Sequence, residues 1–197
     1  VAVREVVLPL IRILRRETRL GLTVCLGTLN PGLYRELHEA GAAVYIMKFE
    51  AASAERYAAV GAPGTLPERL QHIRALALDG WLVSSGFIAG LPGQPPEELA
   101  QGLALAAELP LIGCSVSPFI PGGQTPFRHH PPASADWTLN CMAALRLMRP
   151  DWIIPAVSAL NLAEEDGYRR GLRAGANLVT MNLTPVSVRG DYVIYTR

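Results

Sequence analysis

The stretch Trp81-Leu82-Val83-Ser84-Ser85-Gly86-Phe87-Ile88-Ala89-Gly90-Leu91-Pro92-Gly93-Gln94-Pro95-Pro96-Glu97-Glu98 decides the fold class. Its first ten residues are almost all apolar or small, as in a strand covered on both faces. They break at a Gly- and Pro-rich turn, and the segment after it opens with proline and two acids, the signature of a helix start. Strand, turn and helix make one βα unit. The same pattern recurs outward from this unit. Strand-length apolar runs lie at Leu22–Gly27, Ala43–Glu50, Trp81–Gly90, Ile112–Phe119, Trp152–Val157 and Ala176–Asn182. Amphipathic segments of helix length fall near Pro31–Ala40, Pro67–Asp79, Pro96–Glu108, Asp136–Met148 and Glu164–Ala174. The alternation predicts an α/β fold with a parallel sheet. Thr65-Leu66-Pro67-Glu68 has capping-box spacing, and Gly41, Gly80 and Gly175 stand where helices end.

A leading helix, roughly Val3–Arg19, has no strand before it. A (βα)8 barrel takes about 250 residues. Six strands and a leading helix therefore read as a truncated TIM-barrel type fold carrying about strands three to eight. Residues 1–197 would form the C-terminal three-quarters of a barrel domain, with its first two units outside the chain. Val1, neither an initiator Met nor the start of a signal peptide, reads as a cut end. The alternative is a self-sufficient six-stranded doubly wound sheet. Its nucleotide-binding versions want a G-x-G-x-x-G or Walker loop after a strand, and none is present.

Composition narrows the function classes. The 197 residues are 50% hydrophobic and 18% charged, with mean hydropathy +0.22, which excludes intrinsic disorder. Eighteen basic and 17 acidic residues leave a net charge of +1, scattered singly, with no footprint for nucleic acid or an anionic membrane. A small-molecule partner fits better. Cys25, Cys114 and Cys141 are far apart and form no C-x-x-C, which argues against a disulfide framework or a complete zinc site and suits the cytoplasm. No apolar run reaches the roughly 20 residues that span a bilayer.

Polar residues at C-terminal strand ends carry the information in a parallel barrel. There Lys48 and Glu50 share a face by the two-residue period, either as a structural ion pair or as a clamp for a ligand ammonium or hydroxyl. Arg69 lies in the first turn of the next helix, where an arginine is ordinarily solvated. Gly86, Gly90 and Gly93 either admit close backbone approach to a ligand or serve a tight turn. Pro118–Pro126 reads as a stiff loop or mere punctuation. His129 and His130 point apart, lack acidic partners and read as a solvated loop. Cys25 and Cys114 read as small hydrophobes. Ser84, Ser115, Ser117, Ser158 and Asn182 offer polar lumenal contacts, although Asn182 and Thr184 could equally cap a turn. Lys48 is the sole lysine, so an aldolase-like Schiff base would rest on it alone.

Taken together, these segments resemble the radical S-adenosylmethionine enzymes of the biotin synthase-like group. The likeness is nearest to the [FeFe]-hydrogenase maturase and methylornithine synthase branches. It is carried by Tyr45–Glu50, Gly86–Gln94, Pro118–Pro121, Ile154–Ala156, Ala174–Asn177 and Asn182–Pro185, whose order and spacing matter more than any one of them. The resemblance implies that Glu50 meets the methionyl amino group of S-adenosylmethionine and Arg69, nineteen residues later, its carboxylate. It also implies that Lys48 corresponds to a polar or basic position, and that Gly90 and Leu91 belong to a segment running beside the adenosyl part. Ser84, Ser117, Ser158 and Asn182 are the expected substrate contacts. No catalytic residue is assigned.

The family's C-x-x-x-C-x-x-C loop, which holds the [4Fe–4S] cluster, is not in the sequence, so the metal ligands are expected outside this chain. Ser84 and Pro155 stand where biotin synthase places ligands of its second cluster, which disfavours that activity. The implied reaction is reductive cleavage of S-adenosylmethionine on the cluster, fed by an electron donor. The resulting 5′-deoxyadenosyl radical would act on a small, amino-acid-like substrate. The fragment alone is expected to be inactive. A non-catalytic barrel binding an adenosyl or amino-acid ligand is the alternative.

Overall fold

Within each of two sheets every strand pairs in parallel with the next one along the chain, and one bridge joins the sheets into a six-stranded arc wrapped by helices. The computed structural model describes residues 2–123 and 125–191. Its strands are β1 (Thr23–Val24), β2 (Val44–Ile46), β3 (Leu82–Ala89), β4 (Gly113–Pro118), β5 (Pro155–Ala156) and β6 (Leu178–Val179). The helices are α1 (Leu8–Glu17), α2 (Pro31–Glu39), α3 (Ala54–Ala59), α4 (Leu66–Leu78), α5 (Pro96–Glu108), α6 (Ala135–Met148), α7 (Ser158–Ala163) and α8 (Gly167–Arg173). The first sheet runs β1-β2-β3-β4 and the second β5-β6. A parallel bridge between Gly113 and Ile153 joins them: the Cys114 N–H donates to Ile153 O at 3.1 Å, and the Ile153 N–H to Ile112 O at 3.0 Å.

Doubly wound sheets reverse their strand order at a switch point, and this order never reverses. The doubly wound alternative is therefore excluded, and the fold is the barrel type with the barrel left open. Alternation along the strands sorts two faces. Tyr45, Met47 and Phe49 from the β2 segment, Val83 and Phe87 from β3, and Cys114 and Val116 from β4 are buried on the face that meets the helices. There the rings of Phe49 and Phe87 stack at 5.6 Å, and Tyr45 meets Tyr34 and Trp81 edge-on at 5.2 and 5.3 Å. The opposite, inner face carries Lys48 and Glu50, then Ser84, Gly86 and Ile88, then Gly113, Ser115 and Ser117.

The helix signals act as expected. Thr65 and Glu68 form the reciprocal capping box of α4, and Asn30 caps α2 by accepting from the Leu33 N–H at 3.0 Å. Four differences from expectation have local causes. The predicted first helix begins as a π turn at Val3–Val7, because Pro9 has no N–H to give the Glu5 carbonyl. The predicted Glu164–Ala174 helix is the shorter α8, and α7, which no sequence signal marked, precedes it. They are packed so closely that a Cβ on Gly167 would overlap the Leu160 carbonyl. Helix α3 lies in a stretch with no predicted element, started by Ser53, which accepts from the Arg56 N–H at 3.1 Å. The strands are shorter than the apolar runs, most of all β1 and β6, each with one strand neighbour among the described residues. No described helix is long and apolar enough to cross a membrane.

Candidate active site

A cavity of about 430 Å³ opens at the C-terminal ends of β2, β3 and β4. Lys48, Glu50, Arg69 and Ser117 supply its charged and polar wall, while Ile88, Leu91, Phe119, Ile120 and Phe127 supply most of the apolar one. Beyond β2 the chain keeps its register far enough to set Glu50 beside Phe87. The Glu50 N–H donates to Gly86 O at 3.0 Å, and the Ile88 N–H donates to Glu50 O at 2.9 Å. The backbone then turns sharply, with the Ala51 N–H donating to Phe49 O at 2.7 Å. At the centre of this three-residue turn Glu50 takes φ 60°, and it is the only described non-glycine residue with a positive φ. The turn aims its carboxylate into the cavity. Oε2 lies 3.1 Å from Lys48 Nζ, yet it is buried without an aligned hydrogen bond.

Arg69 departs from the solvated side chain expected of it. It is 7% exposed, and no carboxylate pairs with it among the described residues. Its Nε–H donates to Tyr57 Oη at 2.9 Å, and Nη2 reaches Pro63 O at 3.5 Å. The Tyr57 hydroxyl in turn donates a hydrogen bond to Pro63 O at 2.8 Å. A buried guanidinium with no anion beside it is costly unless a ligand supplies the charge.

One residue earlier on α3, Arg56 holds the loop after β3. Its guanidinium donates to Pro92 O at 2.7 Å, to Gly93 O at 3.0 Å and to both oxygens of Glu98 at 2.9 Å. The hydrogen bond to Glu98 raises the Arg56 pKa. The stiff loop after β4 is more than punctuation. Phe119, Ile120, Gly122, Thr125, Pro126 and Phe127 form one side of the cavity, and the loop's neck is closed by the Ala133 N–H donating to Phe119 O at 2.9 Å.

The remaining candidates divide. Leu91 and Ser117 line the cavity, and Ser84 sits on the same inner face, donating to Gly113 O at 3.3 Å. Gly86 and Gly90 are glycines for the fold's own reasons. A Cβ on Gly86 would overlap Ser115, and one on Gly90, at φ 82°, would overlap Ala133. The Gly90 and Leu91 N–H groups both donate to Gln94 Oε1, at 2.7 and 3.1 Å. Ser158 lies at the other end of the arc, its N–H on Thr180 Oγ1 at 3.0 Å, and Asn182 accepts from the Thr184 N–H at 2.9 Å, capping its own turn. The structure does not bring these two to the cavity. His129 and His130 are exposed, with the His130 ring against Phe127 at 5.8 Å. Among the described residues no group of three His, Cys, Asp or Glu could hold a metal.

Cys114 and Cys141 are buried, which pushes their thiols up to about 12 and about 11. Cys25 is exposed, but partial desolvation of its sulfur still raises its pKa, opposed by Lys48 and Arg69 and aided by Glu50. The sequence did not display the roles of Arg56 and Tyr57 or the wall built by Phe119, Ile120 and Phe127. Ser53 ahead of an alanine-rich stretch was the one signal for α3.

No protein-family model matches the chain. HydE, the [FeFe] hydrogenase maturase subunit of Thermotoga maritima, is 29% identical over 180 residues, covering 91% of this chain and 52% of its own length. The 3-methylornithine synthase of Methanosarcina barkeri is 26% identical over 188 residues, 95% of this chain and 53% of its own. A biotin synthase of Heliobacterium modesticaldum is 32% identical over 149 residues, 74% and 44% respectively. Among solved structures, methylornithine synthase (PylB) superposes with a TM-score of 0.82 at 27% identity, over 91% of this chain and 52% of that one. HydG of Carboxydothermus hydrogenoformans, at 19% identity and a TM-score of 0.72 over 90% and 42%, supports the fold alone. The chain spans about half the length of the curated relatives it matches. Likeness of this kind, in sequence and in structure along nearly the whole chain, makes it a partial-length relative of the radical S-adenosylmethionine enzymes HydE, methylornithine synthase and biotin synthase.

Proposed function

We propose that the chain forms the methionyl-binding wall of a radical S-adenosylmethionine enzyme acting on a small, amino-acid-like substrate. One observation carries the reading: a buried guanidinium without an anion, Arg69, faces the same cavity as a buried carboxylate oxygen without an aligned donor, that of Glu50. An amino acid's carboxylate and ammonium satisfy both at once, with charge-assisted hydrogen bonds at each end. Lys48 tempers the Glu50 charge and faces the ligand from the same strand. The apolar wall from Ile88 to Phe127 excludes water around whatever the amino acid carries.

When bound, a [4Fe–4S] cluster supplies the electron that cleaves the sulfonium of S-adenosylmethionine. The cysteines here do not fit it, since two are buried among core side chains and one stands apart, so its ligands belong outside the described residues. The six strands correspond on this reading to strands three to eight of the barrel. On the same reading Ser117 and Ser84 contact substrate on the inner face and Gly90 and Leu91 border the adenosyl part, while Ser158 and Asn182, away from this cavity, carry no substrate role in it.

Binding of radiolabelled S-adenosylmethionine by equilibrium dialysis tests the reading without requiring turnover. Each lost charge-assisted contact costs about 1.5–3 kcal/mol, so Glu50→Gln and Arg69→Gln should each weaken binding roughly ten- to more than a hundredfold. Because Arg69 is buried, glutamine rather than alanine is the right replacement. Unchanged affinity in both variants overturns the assignment.

A further inference from the structure

We infer that Tyr57, which does not line the cavity, is the residue that orients the Arg69 guanidinium toward the ligand. The inference rests on the reading that Arg69 holds a carboxylate, and adds how it is held. Tyr57 is 1% exposed and sits on α3, behind the wall formed by Val60, Ala62 and Pro63. The direction of its bonds is forced. Arginine has only donors, so the 2.9 Å contact from Arg69 Nε makes the phenol oxygen an acceptor, and the hydroxyl proton goes to Pro63 O at 2.8 Å. Arg69 Nη2 reaches the same carbonyl at 3.5 Å. The guanidinium is thus pinned along one edge at two points, and Nη1, which has no protein partner among the described residues, is left for the cavity.

A long arginine side chain that must be immobilised by its ligand binds that ligand more weakly than one already held. Tyr57 removes that loss of rotamer freedom before the ligand arrives. The rival view is that Tyr57 only closes the connection between α3 and α4 through Pro63, and that removing its hydroxyl loosens the fold without concern for ligand charge.

Tyr57→Phe in the full chain separates the two, with S-adenosylmethionine and decarboxylated S-adenosylmethionine as paired probes. The second probe lacks only the carboxylate. Tyr57→Phe is expected to weaken S-adenosylmethionine about three- to tenfold, leave the decarboxylated probe unchanged, and have no further effect in an Arg69→Gln background. Equal losses for both probes, or an undiminished loss in the Arg69→Gln background, overturn the inference. A second measurement needs neither ligand nor variant. The Arg69 Nε–H should appear in ¹⁵N NMR as a slowly exchanging signal, and its rapid exchange in the wild-type protein overturns the inference. Should the wild-type chain bind neither probe, the proposed function falls and this inference with it, whereas binding with equal Tyr57→Phe losses for both probes overturns the inference alone.

Discussion

At Glu50 a side chain with a Cβ is held at φ 60°, a region that costs such residues about 1–3 kcal/mol. The strain buys aim, because an extended backbone would carry the carboxylate on past the cavity mouth. Glu50→Gly and Glu50→Gln both delete the charge and the pair with Lys48, but only glycine relieves the turn. The glycine variant should therefore melt several degrees above the glutamine variant, with binding impaired in both. Thermal unfolding of the two side by side checks this, and the reverse order would mean that the turn is relaxed. The cysteines give a second residue-scale expectation. One thiol, Cys25, should react with a thiol reagent in the native protein and three in denaturant, since Cys114 and Cys141 are buried. Cys114 also sets an alkaline limit. Its thiol keeps its proton in the fold up to about 12, whereas the unfolded chain releases it from about 9.0, so stability falls as pH rises through that window. The urea midpoint should fall less between pH values below and above that lower value for Cys114→Ala than for the wild type.

Helix α3 is six residues long and serves two walls from adjacent positions, Arg56 gripping the loop after β3 and Tyr57 gripping Arg69. Arg56→Ala strands a largely buried Glu98 and frees the Pro92 and Gly93 carbonyls. It should cost about 2–4 kcal/mol of stability, read from denaturant unfolding. Gly90→Ala meets two obstacles, the φ of 82° and the overlap with Ala133. Pairing it with Ala133→Gly should recover part of the lost melting temperature and no more, because the backbone strain remains. Legibility in the sequence followed element length and punctuation. Helix α5 was legible at Pro96–Glu108, where proline and two acids mark the start, and the α4 capping box placed that helix to within one residue at each end. Helices α3 and α7 are too short for a periodic stripe, and their stability comes from caps and packing that composition does not display. Glu50 and Lys48 were readable as residues of one face from the two-residue period alone. The burial of Arg69 was not, because it depends on a tyrosine hydroxyl and a carbonyl brought together by the turn between α3 and α4.

Across the whole molecule, protection should grade from the middle of the arc outward. Strand β3 is paired on both sides and β4 is paired along its length with β3 and bridged at Gly113 to Ile153, whereas β1 and β6 have one strand neighbour each among the described residues, and both residues of β6 are exposed. Amide exchange should be slowest from Gly86 to Val116 along those two central strands and fastest at Thr23 and Val179. Uniform exchange across all six strands would show that the arc opens only as one unit. The strictly sequential order has a further consequence for how the chain reaches this state. Every strand finds its partner one βα unit away, so each pairing closes a loop of similar, moderate length and none waits on a distant segment. Folding can nucleate on the β3–β4 pair, which carries the longest register of the arc, and grow in both directions by adding one unit at a time, with the clamp completed when the β2 segment docks on β3 and brings Glu50 to the cavity opposite Arg69.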